Sequence, residues 1–436
     1  MAGGNWTLQD KVRPGAYINV KSKGNTMNAS SNRGIVTLPV VLGFGPTKEV
    51  VEVDSLTNFI EEFGYDLAST ELLTVHEALK QASKVIVYRV NTGEKAKADS
   101  GDLSVTALHG GKRGNDLSVI VKVNIDDSEA FDVVTLLDTQ VVAKQTAKTI
   151  EDLVENHFVV FTGTGNLSEL AGLKLTGGTD APTTASDYSD YFKAIEVYDF
   201  NTMALPVSDA AIKNTAASFI KRLREEEGKK SQLVVANFSA NSEAVINVKN
   251  GVKLSDGSLI PAEIATAWVA AATAQANVNE SLTYYPYPNA VDVEPRYTNT
   301  EIIEALKAGS FLFTEKRGTA VVEQDINSLV YFTEEKNQSF SKNRVLRVID
   351  DIANATKKLF EDHFLGKVTN DSNGRDVFKV SLLQYLSTLT ASQAIQNFVT
   401  EDLTIEQGND VDSLIVQLAV QPTDSMEKLY MNVIVK

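Results

Sequence analysis

The sequence predicts a multidomain α+β protein. Its 436 residues suit about three domains of roughly 150 residues each. Strand and helix patterns alternate before residue 93 and again after residue 179, which is typical of an α/β layer. Short alternating runs with frequent glycines separate these two stretches and are typical of a small β domain. We therefore expect an α/β domain with an inserted β domain, followed by a C-terminal α/β domain.

Residues 1–33 are predicted to form an N-terminal arm. Residues 16–20 have a short strand pattern. The polar, glycine-containing stretch that follows, at residues 21–34, has the composition of a linker. We therefore expect this strand to be tethered to the first domain and not packed inside it.

The central α/β domain is predicted to comprise residues 34–92 together with residues 179–335. Ser55 can cap a short helix that Gly64 closes. The elements expected before the insertion are a buried strand at 35–43, helices at 55–64 and 71–83, and a buried strand at 85–90. Those expected after it are helices near 188–197, 209–227, 261–276 and 300–308, strands at 203–205 and 233–236, and a hairpin at 311–323.

The inserted β domain is predicted to comprise residues 93–178. Its runs at 117–123 and 131–137 alternate in hydrophobicity as half-buried strands do. Its entry and exit are rich in glycine, which suits an insertion into another domain. The basic turn at residues 110–114 is expected to be a solvated loop of this domain.

The C-terminal assembly domain is predicted to comprise residues 336–436. Long amphipathic helices are expected near residues 343–363 and 378–398. Two strands should follow, at about 411–420 and 428–435, joined through Pro422 and Asp424.

The two chain ends carry the most informative pattern for function. The last strand places apolar side chains on one face and stops at the end of the sequence, and the arm offers a second strand. A chain with an attachable strand at each end can pair with a different copy of itself at each end. The pattern predicts a polymer subunit whose exchange strands are Ala16, Tyr17, Ile18, Asn19 and Val20, and Leu429, Tyr430, Met431, Asn432, Val433, Ile434 and Val435.

The composition limits the possible partners and compartments. A net charge of −16 argues against nucleic acid as the main partner. The absence of cysteine excludes disulfides and thiolate sites and fits assembly in a reducing cytoplasm. The N-terminus does not resemble a signal peptide, and no run of about 18 apolar residues suggests a membrane span. We therefore expect a soluble protein that is made in the cytoplasm.

The histidines give little support for catalysis. None lies near a Gly-x-Ser-x-Gly nucleophile motif, and without cysteine they do not suggest a zinc site. They are His76, His109, His157 and His363. No catalytic residue, cofactor-binding residue or metal ligand is predicted.

Two other features could be taken for sites. The turn at residues 43–46, Gly-Phe-Gly-Pro, lacks the third glycine of a phosphate-binding fingerprint, so a tight turn is expected. Adjacent carboxylates at Asp126–Asp127 and Asp350–Asp351 point apart on a helix or strand. Both carboxylate pairs are predicted to be solvated.

Five segments resemble, in order, segments of the contractile-tail sheath proteins of bacteriophages and phage-tail-like bacteriocins. They are residues 13–17 (RPGAY), 175–180 (LTGGTD), 318–329 (GTAVVEQDINSL), 343–350 (NRVLRVID) and 421–430 (QPTDSMEKLY). The likeness spans nearly the whole chain, and the length suits the shorter sheaths. It implies a subtilisin-like fold for the central α/β domain, although the catalytic histidine motif of that fold has no counterpart here.

The resemblance implies a structural subunit that forms hexameric rings stacked into a helical sheath around a tail tube. The sheath would contract and drive the tube through a target cell envelope. The arm and the last strand would join the inner sheet of neighbouring subunits, and the inserted domain would lie outside. Partners would be other copies, the tail tube protein, and baseplate and tail terminator proteins, without nucleic acid or membrane insertion. Assembly would occur in the host bacterial cytoplasm, and the mature protein would be part of a virion tail or tail-like particle.

The helix near residues 343–363 has two interpretations that stay open. Basic residues flank its apolar stripe, and they are either solvated or face an acidic inner tube. The possible tube-facing residues are Lys342, Arg344, Arg347, Lys357 and Lys358.

Two alternative functions also remain. One is an α/β hydrolase-like enzyme with oligomerisation arms, and the other is a tail tube or another virion protein. The sequence does not distinguish a phage from a defective prophage or a bacteriocin.

Overall fold

The computed structural model describes residues 2–4, 15–17 and 33–435 of a multidomain α+β chain. For residues 2–4 and 15–17 the structure describes the backbone alone. The α-helices of the described residues, numbered α1 to α8, are Phe59–Phe63, Leu73–Leu79, Ala185–Ile195, Ala210–Glu225, Ala262–Gln275, Asn299–Lys307, Asn343–His363 and Ser372–Ala391.

A seven-stranded sheet forms the centre of the molecule. Its strands, in spatial order, are Ser310–Phe311, Val245–Val248, Gln232–Ala236, Thr202–Leu205, Ile35–Val40, Lys84–Arg89 and Val50–Val53. Neighbouring strands are parallel except for the last, which pairs antiparallel with Lys84–Arg89. The inner strands are apolar on both faces, as parallel strands covered on both sides are.

Helices cover both faces of this sheet. The alanine-rich helix α5 and helix α2 pack on one face, and Trp268 of α5 is fully buried there. Helices α3 and α4 cover the other face through Tyr191, Phe192 and Ile220. The short strands Gly251–Leu254, Leu259–Ile260 and Ala290–Glu294 form a separate antiparallel sheet, and Phe313–Lys316 pairs with Thr319–Val322 in the predicted hairpin.

Helix α1 begins later than predicted. Asn58, not Ser55, caps it by accepting a hydrogen bond from the Glu61 N–H. Asp54 and Thr57 instead hold residues 54–57 in a turn through side-chain-to-backbone hydrogen bonds, so Leu56 is exposed. The predicted end is confirmed, because Gly64 adopts φ 74° and donates to the Ile60 carbonyl.

Residues 93–180 contain two antiparallel sheets with a shared apolar core. One consists of Gln140–Ala147, Phe131–Leu137, Leu117–Val123 and Leu170–Lys174. The other consists of Val159–Thr162, Leu103–Ala107 and Lys97–Ser100. The pair Gly93–Glu94 and Thr179–Asp180 closes the base, where the chain enters and leaves.

The expectation of a solvated loop at residues 110–114 was wrong. Gly111 has φ 133°, and a Cβ there would lie 2.1 Å from the Gly43 carbonyl oxygen. The buried Arg89 guanidinium donates to the carbonyls of Gly110 and Gly45. This turn is therefore packed against the central sheet, at the joint between the β region and the rest of the chain.

Helices α7 and α8 form the core of the C-terminal region with a β-hairpin. The hairpin strands are Leu403–Gln407 and Leu414–Leu418, and the short pair Ile395–Gln396 and Gln421–Pro422 lies next to them along the chain. Helix α7 has the predicted bounds. Helix α8 was predicted six residues too late, since Asp371 caps it and Gln393, with φ 60°, follows its end.

Candidate assembly surface

The hairpin of the C-terminal region has two open edges. Hydrogen bonds from Ala419 to Asp402 and from Gly408 to Ser413 fix its register. Because antiparallel partners alternate, Thr404 and Glu406 then direct their backbone groups into the hairpin, while Ile405 and Gln407 direct theirs outward. The same rule turns the backbone groups of Leu414, Val416 and Leu418 outward on the second strand. Among the described residues, no further strand pairs with either edge.

One face of the hairpin is held against the C-terminal helices. Leu403 is fully buried, and Ile405, Leu414 and Leu418 pack partly against the core that Leu386 and Leu389 of α8 help to form. The edges therefore project from a rigid support. An open edge on such a support is a site for the addition of another strand.

Residues 428–435 are exposed and belong to no sheet of the described part of the subunit. The strand predicted at residues 428–435 therefore has no partner within the described part of its own chain. Its side chains are between 70% and 91% exposed at Leu429, Tyr430, Met431, Val433, Ile434 and Val435. A contiguous apolar segment of this kind indicates a surface that a partner covers.

Glu427 fixes the start of the exposed segment 428–435, which we call the tail. Its carboxylate accepts hydrogen bonds from Thr283 Oγ1 at 2.8 Å and Gln324 Nε2 at 2.6 Å, and it forms an ion pair with Lys342. Burial alone would raise the pKa of Glu427, but these three partners outweigh burial and lower it. The tail thus leaves the subunit from a fixed point.

Replacing Glu427 with Gln should destabilise the subunit in a pH-dependent way. The lowered pKa stabilises the folded state above the ordinary carboxyl value of 4.5, and this contribution disappears as the pH falls through the folded value. We expect a loss of about 1–3 kcal/mol in the free energy of unfolding at pH 7. This difference between variant and wild type should become smaller as the pH falls below 4.5. Chemical denaturation across this range measures it, with the exposed Glu401→Gln variant as control. An equal loss at pH 3 and pH 7 would contradict the assignment.

The N-terminal arm is described only in part. Gly15–Tyr17, which includes the candidates Ala16 and Tyr17, pairs in parallel with Ala2–Gly4 of the same arm. Ile18, Asn19 and Val20 lie outside the described residues. The exchange role of the arm stays a prediction.

Arg33 anchors the root of the arm. Its guanidinium donates to the carbonyls of Ala276 at 2.8 Å and Thr273 at 3.2 Å, and lies 3.8 Å from Asp351 of α7. Burial, together with the charge of Arg347, lowers the pKa of Arg33 to about 10. Arg33 and Glu427, where the arm and the tail begin, therefore both lie near the first half of α7.

The basic residues of α7 have different surroundings. Arg347 is only 4% exposed and donates hydrogen bonds to the Glu280 carbonyl and Asp325. Its side chain is therefore not available to contact a tube from the surface. Lys342 is paired with Glu427 and Arg344 donates to Thr423. Lys357 donates to the Glu227 carbonyl, and Lys358 is exposed. Exposure makes Lys358 the most accessible candidate of the five.

The prediction that Asp350 and Asp351 are solvated was wrong. The two carboxylates do point apart, but each enters a buried site. Arg224 donates to both oxygens of Asp350 at 2.7 and 2.8 Å, and Tyr385 donates to Asp351 at 2.5 Å. Burial acts to lower the pKa of Arg224, but the charge and hydrogen bonds of Asp350 outweigh it and raise that pKa. These contacts fasten α7 to the central helix α4 and to α8. The other pair, Asp126–Asp127, is exposed as expected.

The described residues contain no group of three or more acidic, histidine or cysteine side chains that could hold a metal ion. Residues 43–46 form the expected tight turn, with Phe44 buried between the central sheet and the β region. In the part of the chain that the structure describes, no helix is long and apolar enough to cross a membrane.

Four family models match successive parts of the chain. Their descriptions are tail sheath protein Gp18 domain III N-terminal region for residues 33–90, phage tail sheath protein beta-sandwich domain for residues 91–180, phage tail sheath protein central domain for residues 181–328, and phage tail sheath C-terminal domain for residues 335–436.

Individual relatives match over almost the full length. The crystal structure of a sheath tail protein from Desulfitobacterium hafniense is similar with a TM-score of 0.86 and 45% identity, covering 95% of this chain and 98% of that one. The phage-like element PBSX protein XkdK of Bacillus subtilis is 40% identical, over 99% of both chains. The contracted helical sheath of the anti-feeding prophage has a TM-score of 0.58 at 11% identity, covering 97% of this chain and 99% of that one, which shows a shared fold alone.

Proposed function

Because the chain belongs to the phage tail sheath protein family, we propose that it polymerises around a tail tube by exchanging strands between neighbouring subunits. The observation that supports this proposal is that one subunit has both an apolar tail without a strand partner in its described chain and a hairpin with two open edges. Two edges can accept two strands, one from the arm of one neighbour and one from the tail of another. Backbone hydrogen bonds would supply affinity, and alternate side chains would set the register.

The same arrangement supports a contractile lattice of stacked hexameric rings. Arg33 and Glu427 fix the roots of the arm and the tail, so the segments beyond them can act as tethers while the folded regions move as rigid bodies. The extended sheath would be a metastable lattice, and a baseplate signal would release it into a contracted one with more buried surface. An open helical lattice is what head-to-tail contacts of this kind generate. We propose assembly in the host cytoplasm and a mature location in a virion tail or tail-like particle.

The proposed role is structural and requires no catalysis. The α/β hydrolase-like alternative is not favoured, because the four histidines form no catalytic arrangement with a nucleophile motif. Negative-stain microscopy of the purified chain tests the proposal. We expect tubes or filaments, and discrete monomers at every protein concentration would contradict it.

We also propose that Lys358 faces the tube, since it is an exposed cation on a strongly acidic chain. Lys358→Glu should weaken coating of purified tubes at low ionic strength and have less effect at high ionic strength, because salt screens exposed charges. Co-sedimentation with tubes measures this, and Lys193→Glu on α3 is the matched control. Equal coating by both variants at low salt would show that Lys358 does not face the tube.

A further inference from the structure

The arm joins the folded part of the chain at residues 33–35, which run directly into the strand Ile35–Val40 of the central sheet. This strand lies inside the sheet, between Thr202–Leu205 and Lys84–Arg89, and its residues after Ile35 are all buried. Tension on the arm would therefore act first on an inner strand of the sheet.

The guanidinium of Arg33 holds two elements that lie outside this strand. It donates to the carbonyls of Thr273 and Ala276 at the end of α5, and it lies 3.8 Å from Asp351 of α7. The Arg33 side chain is only 21% exposed, so water competes weakly for these contacts. Arg33 therefore connects the root of the arm to the central region and to the C-terminal region at once.

The backbone of Gly34 adds contacts at the edge of the sheet. Its N–H donates to the Ala274 carbonyl at 3.0 Å, and its carbonyl accepts from the N–H groups of Ser83 and Lys84 at 2.9 and 3.2 Å. Gly34 has φ 90°, a backbone conformation that other residues adopt only with strain. The chain thus enters the sheet along a fixed path.

Asn201 holds the same point from the other side of the sheet. Its side-chain oxygen accepts from the Ile35 N–H at 2.9 Å, and its own N–H donates to the Ile35 carbonyl at 2.9 Å. Asn201 follows α3, which covers the face opposite α5. Residues 33–35 are therefore bound to elements on both faces of the sheet.

We propose that residues 33–35 form a mechanical clamp, in which Arg33 passes tension from the arm to α5 and α7 and so keeps the strand Ile35–Val40 in the sheet. The inference rests on the strand exchange proposed above, because an arm bound to a neighbour is pulled when the folded regions move. The evenly spaced hydrogen bonds of a parallel strand pair resist together when the strand is pulled along its length, but open one at a time when its end is lifted away. By holding the end of the strand, the clamp prevents this sequential opening.

Single-molecule pulling on the full chain tests the clamp, because handles can be attached at introduced cysteines in a chain that has none. Handles at Lys23→Cys and Val197→Cys load the arm, since Val197 belongs to the central region and is 81% exposed. At constant force we expect the arm root of Arg33→Met to detach at least about tenfold faster than that of wild type, because hydrogen bonds from a charged donor are lost. Lys84→Met loses an exposed ion pair with Glu52 at the same sheet edge and should have little effect.

A second pair of handles separates the clamp from a general effect on stability. Handles at Val154→Cys and Val197→Cys, which are both exposed, pull on the chain without loading the arm. Arg33→Met should then unfold at close to the wild-type rate. Arg33→Lys keeps the charge and a donor, so it should recover part of the loss when the arm is loaded. Equal detachment rates for Arg33→Met and wild type, or an equal acceleration with both pairs of handles, would overturn the clamp.

The polymer provides a second measurement. Arg33→Met should polymerise at the wild-type protein concentration, because the exchange segments are unchanged. In a shear flow that leaves wild-type polymers intact, its polymers should break into shorter pieces, which negative-stain microscopy measures. Pieces of wild-type length would overturn the load-bearing role of Arg33. Failure of the wild-type chain to polymerise would instead overturn the proposed function and this role with it, while the pulling measurement still decides whether Arg33 holds the strand.

Discussion

Truncating the chain after Lys428 should abolish polymerisation and leave the melting temperature of the single subunit unchanged. The residues removed are exposed and belong to no sheet of their own chain, so their loss costs the subunit little. In the polymer they would form about five ladder hydrogen bonds, each worth about 1 kcal/mol net. Losing about 5 kcal/mol corresponds to a contact weaker by more than about a thousandfold. Sedimentation measures the polymer and differential scanning fluorimetry the subunit.

A sharper variant separates strand pairing from the simple loss of apolar surface. Met431→Pro combined with Asn432→Pro removes two successive backbone donors, one of which must face the acceptor edge. The control carries Val at both positions, since Val keeps the donors and suits a strand. We expect the proline variant to behave like the truncation and the valine control to polymerise. If the proline variant polymerises normally, the tail does not act as an added strand.

Asp350→Ala should strongly destabilise the C-terminal region. It leaves Arg224 buried without its bidentate partner at the contact between α4 and α7. Breaking a buried ion pair from one side costs about 3–5 kcal/mol. Chemical denaturation measures the loss, and the exposed Asp362→Ala on the same helix is the matched control.

A double variant identifies the cause. Arg224→Met together with Asp350→Leu replaces both charges with apolar groups of similar size, and we expect it to recover most of the lost stability. A loss for Asp350→Ala no larger than that of the control would show that the pair does not fasten α7 to the central region.

The sequence predicted the elements whose pattern is set by their own burial. The strands Ile35–Val40, Lys84–Arg89 and Gln232–Ala236 lie where short apolar runs indicated them, because parallel strands buried on both faces are apolar throughout. The bounds of α7 agreed because its apolar stripe repeats with helical periodicity over its whole length.

Local caps and long-range partners account for the errors. Helix α8 begins at a cap, Asp371, that comes before its first buried residue, Phe378, so its apolar pattern alone started it too late. Asp350 and Asp351 were expected in solvent because Arg224 and Tyr385 lie 126 and 34 residues away in the chain. Charge patterns within one helix do not contain that information. The packed turn at Gly110 and Gly111 was missed for the same reason.

For the tail, the sequence could predict the strand but not its partner. Its alternating pattern indicates a strand, yet a strand requires a partner, and the described part of a single chain provides none. The sequence and the open hairpin together suggest a partner in another subunit. We therefore expect the joint between subunits to be a strand of one copy added to the hairpin of another.

Hydrogen exchange of the hairpin amides, compared between monomer and polymer, tests whether such a joint forms. The N–H groups of Ile405, Gln407, Leu414, Val416 and Leu418 point outward, while those of Thr404, Glu406, Ile415 and Gln417 are already paired within the hairpin. Strand exchange predicts that polymerisation slows exchange selectively at the outward set. A polymer in which the outward amides exchange as fast as in the monomer would contradict strand exchange as the joint between subunits.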